Sequence, residues 1–329
     1  MLNNYKVNEI ISEIKIKKRK NSFKSCEIPK FIFICGSSIM NDSEVDYGKL
    51  NNDQNKRGYL INSLEKIQST IAGVSTKPIH NVRCMISEII WDYECGMDTM
   101  TFEELLAELS DEIIIIVESP GTVCELGAFS CGTDFIKKLT VINNKQYEHN
   151  NSFINNGPIK KIFDINDTAV NYIPYEINKF KNDFLVKKII KDISLKQITY
   201  TPNKNNRKLD LKNLIYELLN IIELFQPLTK TELVRLFLYL KDFTKYEIIN
   251  GSIWRLSTIS KVIDLMVKMK IINIKNELIL CDSTISCYNS MFNIDRSEFN
   301  KYRFTYLSAI YKKYPERMIM CNNGNRNIN

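Results

Sequence analysis

Short apolar runs bounded by polar turns recur through the first half of the chain, and longer runs with helical spacing fill the second. "KFIFICGSS" (Lys30 to Ser38) predicts a buried strand ending in a glycine turn. A polar stretch from Met40 to Lys56 leads into a helix predicted from Arg57 to Ile71. "NVRCMISEII" predicts a second strand region ending near Glu88, and "TFEELLAEL" (Thr101 to Leu109) a short helix with Thr101 as N-cap. "EIIIIV" is a third strand, "TVCELGAFS" opens a helix, and "KLTVIN" (Lys138 to Asn143) is a fourth strand. Strands alternating with helices imply a parallel sheet covered on both faces, so residues 30–165 are expected to form a Rossmann-like or flavodoxin-like α/β domain. Ligands in such sheets bind beyond the carboxyl ends of the strands. Two of those ends read "CGSS" and "ESPGT".

From about Phe163 to Asn206 the rhythm is lost and Asn and Lys dominate, which reads as a connector over residues 166–206. Residues 1–29 read as a basic, amphipathic N-terminal helix or extension. Beyond the connector come "LKNLIYELLNIIELF" behind Asp210, "LTKTELVRLFLYL" behind Pro227, "STISKVIDLMVKMK" (Ser257 to Lys270) and "IINIKNELILC" (Ile271 to Cys281). Three helices and a two-stranded hairpin describe a winged-helix domain over residues 207–329, although Lys275-Asn276 is not the strong Asn-Gly turn. Ile259, Ile263, Met266 and Met269 recur at helical spacing and are expected to face the core. Lys261, Lys268, Lys270 and Lys275 then form a basic face suited to nucleic-acid phosphates; the alternative is a merely solvated lysine-rich surface.

Charge placement sharpens that division. The net charge is +7, but from Thr201 onward 20 basic residues stand against 12 acidic ones, and the first 200 residues hold 25 basic and 26 acidic. Only the second half is expected to meet a polyanion. With 329 residues, 44% hydrophobic and 25% charged, the chain is of ordinary globular composition. Its nine cysteines (Cys26, Cys35, Cys84, Cys95, Cys124, Cys131, Cys281, Cys287, Cys321) include no CxxC pair, which argues against a disulfide framework or a zinc site and fits a reducing cytoplasm. No secretory signal and no bilayer-spanning run is read.

The stretch from Asp111 to Ser130, "DEIIIIVESPGTVCELGAFS", carries the chemistry. Thr122 and Glu125 fit a capping box, with Thr122 as N-cap and Glu125 at the third helical position. The competing reading is catalytic. Pro120-Gly121 makes a tight turn, Gly127 and Ala128 are small, and a helix N-terminus keeps Glu125 ionised at the mouth of the sheet. An ionised carboxylate there suits cleavage of a glycosidic bond. Glu103, Glu104 and Asp111 are candidate second carboxylates or solvated helix-end charges. Glu118 could bind ribose hydroxyls or face solvent. Cys35, Gly36, Ser37, Glu88, Ser119, Gly121 and Thr122 complete the expected substrate-binding rim. His80 and His149, the two histidines, lie in no metal or triad spacing.

"FIFICGSS", "TFEELLAELSDEIIIIVESPGTVCELGAFS" and "SFINNGP" occur in the order and spacing of nucleoside deoxyribosyltransferase-like proteins, which the chain resembles. The resemblance implies Glu125 as the catalytic nucleophile of an ExG motif. It implies Glu103, eight positions before Asp111, as the acidic partner, with Glu in place of the usual Asp. It also implies Asn155 as a residue lent to a neighbouring subunit's sugar site, and hence at least a dimer. The turn Cys35-Gly36-Ser37 departs from the family's Gly-rich form, so base specificity does not carry over. With the winged-helix region added, the chain is more closely similar to effector proteins of bacterial retrons over about residues 30–290. That likeness implies a reverse transcriptase and its branched RNA–DNA product as partners.

The reading that follows is a defence toxin that cleaves the N-glycosidic bond of NAD or a nucleotide, the molecule entering as substrate and no cofactor or metal being called for. Nicotinamide departs as a neutral base, whereas purine nucleosides ask more of Glu103 as proton donor. Two alternatives stand beside it: a nucleotide-sensing transcription regulator without catalysis, and a salvage transferase.

Overall fold

In residues 30–173 the apolar runs between polar turns become strands of one parallel sheet. The computed structural model describes residues 5–25, 28–41, 44–45, 55–65, 82–90, 98–203, 208–242, 245–250, 254–256, 258–282 and 291–317. The chain divides into two units, one of residues 30–196 and one of residues 1–29 with 197–329.

In the first unit, β1 (Lys30–Cys35), β2 (Val82–Met85), β3 (Glu112–Ile116), β4 (Leu139–Asn144) and β5 (Val170–Ile173) pair in the order β2-β1-β3-β4-β5. All neighbours are parallel, with Ile34 opposite Ile114 and Ile114 opposite Thr140. All six residues of β1 are buried, as expected where both faces are covered. Ile32, Ile34, Ile114 and Ile142 pack under Leu60 and Leu64 of α1 (Lys56–Glu65) on one face. Side-chain alternation sends Phe33 and Cys35 to the other face, where Phe33 meets Phe129 edge-on at 6.0 Å. Strand order reverses direction at β1 and β3, so their carboxyl ends form the switch-point crevice.

The expected connector is largely structured. Residues 170–173 are the edge strand β5, and Phe184–Leu195 form a helix whose Val186, Ile189 and Ile193 are buried. Its lysines face outward, which is why composition alone read as linker. α2 (Ser87–Ile90) follows β2 directly, so Glu88 sits in a short helix and not at a strand end. α3 (Thr99–Leu109) begins two residues earlier than expected, capped by Asp98, whose side chain accepts from Thr101 N–H at 2.9 Å. Of the helix predicted to Ile71, residues 66–71 lie outside the described residues.

In the second unit, α4 (Leu211–Phe225) is capped by Asp210, as its sequence indicates. α5 (Lys230–Lys241) is capped by Thr229, in a capping box with Glu232. α6 (Ile259–Lys268) follows, and then the hairpin β6 (Ile272–Lys275) and β7 (Leu278–Cys281). Asn276 and Glu277 both have positive φ, 47° and 67°, so the turn is of the hairpin-matching mirror-image type without its usual glycine. Within residues 1–29, read as a basic helix or extension, the described residues pack into this unit. The N-terminal helix Tyr5–Ile16 buries Val7, Ile10, Ile11 and Ile14, and Phe23–Ser25 pairs with Ile198–Tyr200. Three lysines of this segment are engaged within the unit: Lys15 pairs with Asp242, Lys17 with Glu298, and Lys18 donates to Leu240 O at 2.6 Å. A buried charge pair also lies here. Glu217, fully buried, accepts from Lys241 Nζ (2.6 Å), Tyr200 OH (3.0 Å) and Asn203 N–H (3.1 Å).

Candidate active site

The helix that carries Glu125 starts earlier than its local pattern suggested. It spans Pro120–Phe129. Ser119 is the N-cap and Pro120 the first helical residue; Thr122, at the third position, closes a capping box with Ser119. Thr122 Oγ1 accepts from Ser119 N–H (2.9 Å) and Glu118 N–H (3.0 Å), and Ser119 Oγ accepts from Thr122 N–H (3.3 Å). This corrects the expectation that Thr122 caps and Glu125 completes the box. Ser-Pro is itself a start signal, since proline favours the first helical position. Ser119 and Thr122, expected at the substrate rim, are engaged with each other. Glu125 is left on the second turn with no capping duty. Gly121 is exposed, and a Cβ at Gly127 would meet nothing within 4 Å, so open space adjoins this turn.

Glu125 is half-buried, and its Oε2 is buried without a hydrogen-bond donor among the described residues. Burial, then the neighbouring Glu103 carboxylate and more weakly Glu88, push its carboxyl up to about 7; Arg57 and a hydrogen bond with the Cys35 thiol oppose them. Burial also raises Glu103, aided by Glu88, while Ser87, Arg57 and a hydrogen bond with Glu125 pull the other way. Burial and the like charges around them thus make both carboxyls harder to ionise than free glutamates. The expectation of a permanently ionised Glu125 is therefore corrected: the group is on the second turn, away from the free N–H groups, and close to a like charge. Cys35 is 1% exposed and its thiol is held well above the ordinary range, by burial first and then by Glu125. It faces Glu125 as a neutral thiol.

Arg57, which the pattern offered only as a helix start, lies behind the pair. Its Nη1 and Nη2 donate to Glu88 Oε1 (2.6 Å) and Oε2 (2.8 Å), and its Nε and Nη2 donate to Ile34 O (3.0 and 2.7 Å). The ion pair holds Glu88 below the usual carboxylate range although burial opposes it. A Cβ at Gly36 would come within 3.0–3.2 Å of the Arg57 stem, so this glycine is needed for the arginine to pass. No spacing rule announces an arginine of this kind. Glu118 accepts from Ser37 N–H (2.9 Å) and pairs with Lys56 (2.7 Å), fastening the turn after β1.

Asn155 lies in a π-helical turn. Its Nδ2 donates to Tyr147 O (2.6 Å) and Asn150 O (2.9 Å), and its Oδ1 accepts from Tyr172 OH (3.2 Å). The amide thus braces its own loop, beside Phe153, which is 86% exposed. At the opposite, amino-end rim of the sheet a groove of about 270 Å³ is lined by Glu112, Thr140, Asn171, Lys188 and Lys196, far from the carboxylates in the strand direction. His149 is exposed; His80 lies outside the described residues.

In the second unit Ile259, Ile263, Met266 and Met269 are buried, as their spacing predicted, and Lys261, Lys270 and Lys275 are exposed with Lys268 half-buried. Lys270 has a positive φ of 54° immediately after α6. Ser257 lies outside the described residues.

A match to the model of the STM3845 retron effector protein family spans residues 53–274. The chain is 29% identical over 158 residues to the Escherichia coli protein named "Retron Ec73 putative ribosyltransferase/DNA-binding protein", covering 46% of this chain and 44% of that one. It is 39% identical over 71 residues to the Escherichia coli "Retron Ec86 putative ribosyltransferase/DNA-binding protein", covering 22% of this chain and 23% of the relative. Each match spans less than half the relative's length. Two thirds of the chain lie inside the family model, and the chain belongs to the STM3845 retron effector protein family.

Proposed function

We propose that this retron effector is a toxin that cleaves the N-glycosidic bond of NAD or a nucleotide, with the Glu103–Glu125 pair as its catalytic centre. One observation carries the reading: Glu125 is spared from capping, its Oε2 has no donor, and it stands against Glu103 with its carboxyl near 7. The location beyond the central strands of a parallel sheet, in the strand order of flavodoxin-like folds, supports it.

With its carboxyl raised to about 7, Glu125 is partly protonated near neutral pH. As the bond to the base stretches, positive charge grows on the sugar and favours an ionised Glu125, which attacks the anomeric carbon or stabilises the cation. The proton then resides on Glu103, placed to reach a departing base that needs one. Nicotinamide needs none. Arg57, neutralised by Glu88, restrains the rise of both carboxyls. Water as acceptor gives hydrolysis; the word "ribosyltransferase" in the relatives' names favours, as a second reading, transfer of the sugar to another acceptor.

The same proposal gives the second unit a winged-helix role. Lys261, Lys268, Lys270 and Lys275 would contact the phosphates of the retron RNA–DNA product, alongside its reverse transcriptase. The relatives' designation as DNA-binding supports this. Incubating the pure chain with NAD and with deoxynucleosides, and separating the products by chromatography, tests the chemistry. Release of free base from one of them, lost in Glu125→Gln, is expected. Equal release by wild type and variant removes Glu125 from the mechanism.

A further inference from the structure

The long helix near the end of the described chain, Arg296–Lys313, has two unlike faces. Phe299, Tyr302, Tyr306, Ala309 and Ile310 are buried. On the opposite face Asn300, Lys301, Phe304, Ser308, Tyr311 and Lys312 are all exposed, and Phe304 and Tyr311 are 73% and 60% accessible. Positions 300, 301, 304, 308, 311 and 312 follow the three- and four-residue spacing of one helical stripe. Phe304 and Tyr311 therefore stand roughly 10 Å apart along the axis. Glu298, the helix's one acidic residue, is turned to Lys17. The stripe itself is free of acidic groups and carries two lysines.

We propose that this stripe binds single-stranded nucleic acid. Two exposed rings flanked by lysines offer stacking platforms for bases and countercharge for the backbone between them. A duplex keeps its bases stacked inside and would leave both rings unused. The stripe's remaining positions are Asn, Ser and Lys, polar and cationic groups that suit a hydrated polyanion better than an apolar protein groove. The surface differs from the Lys261, Lys268, Lys270 and Lys275 face and lies beyond residues 53–274, where the family match falls. It does not depend on the glycosidic chemistry.

The test is fluorescence anisotropy of the full chain with labelled oligo-dT and with a duplex of equal length. Phe304→Ala/Tyr311→Ala is expected to weaken oligo-dT binding by roughly 5- to 150-fold per ring and to leave duplex binding unchanged. Phe304→Trp should restore much of the loss. Lys301→Ala/Lys312→Ala should flatten the salt dependence for oligo-dT by roughly 0.7 per lysine. Unaltered oligo-dT binding by the double aromatic variant overturns the proposal, as does a parallel loss for duplex. Failure of the wild type to bind oligo-dT, with self-association that the same variant abolishes, also overturns it and gives the stripe to a second copy of the chain.

Discussion

Arg57 grips Glu88 through two parallel hydrogen bonds of 2.6 and 2.8 Å, while both also act electrically on Glu125 and Glu103. Glu88→Gln keeps an oxygen for the guanidinium but removes the negative charge that raises both catalytic candidates. The arginine's cation is then uncompensated, and both carboxyls should ionise more readily. If an ionised Glu125 limits the rate at low pH, the acid limb of the pH–rate profile moves to lower pH. A limb that stays in place or moves upward would show that Glu88 has no electrostatic access to the pair.

Glu125→Gln should lower base release by about a thousandfold or more, in the range of lost nucleophilic or acid–base groups. Its effect on stability has a definite sign. The folded carboxyl is raised from 4.5 to about 7, so between those values the folded state holds a proton that the unfolded chain has already lost. Wild-type stability therefore falls as pH rises through that window, by about 3 kcal/mol before levelling off. The glutamine variant lacks this term. The difference in melting temperature between variant and wild type should grow from pH 4.5 to 7 and then stay flat; a difference independent of pH would contradict the raised value.

Lys241→Met leaves the carboxylate of Glu217 buried with Tyr200 and Asn203 but without its cation. Removing one partner of a buried pair costs about 3–5 kcal/mol. Urea unfolding of the full chain should show the transition of this unit displaced accordingly. Pairing the change with Glu217→Leu should recover part of the loss, because no lone charge then remains.

Replacing Lys261, Lys268, Lys270 and Lys275 together by alanine should weaken duplex binding at low salt and flatten the plot of log affinity against log salt by roughly 0.9 per lysine that meets a phosphate. Binding to different duplex sequences should fall together, since phosphate contacts carry little sequence information. An unchanged slope assigns this face to something other than nucleic acid.

Much of the scaffold was legible because its signals are local. Ile113 to Val117 reads as a buried strand from its own composition, and Ile259, Ile263 and Met266 declare a helix face by spacing alone. Errors arose where two local signals competed. Both Ser119 and Thr122 can cap a helix, and Pro120 decides between them. Val186, Ile189 and Ile193 were masked by the lysines and asparagines around them, so a packed helix read as linker.

The sequence by itself determined that strands and helices alternate, that Glu125 follows the third strand, and that positive charge gathers in the second half. These follow from side-chain periodicity, residue type and order, which need no knowledge of distant neighbours. Only the tertiary structure decided that Cys35, Arg57, Glu88, Glu103 and Glu125 converge from five separate elements, and that burial and the neighbouring carboxylate raise the Glu125 carboxyl well above that of a free glutamate. Proton affinity depends on desolvation and on distances to other charges, and the fold sets both.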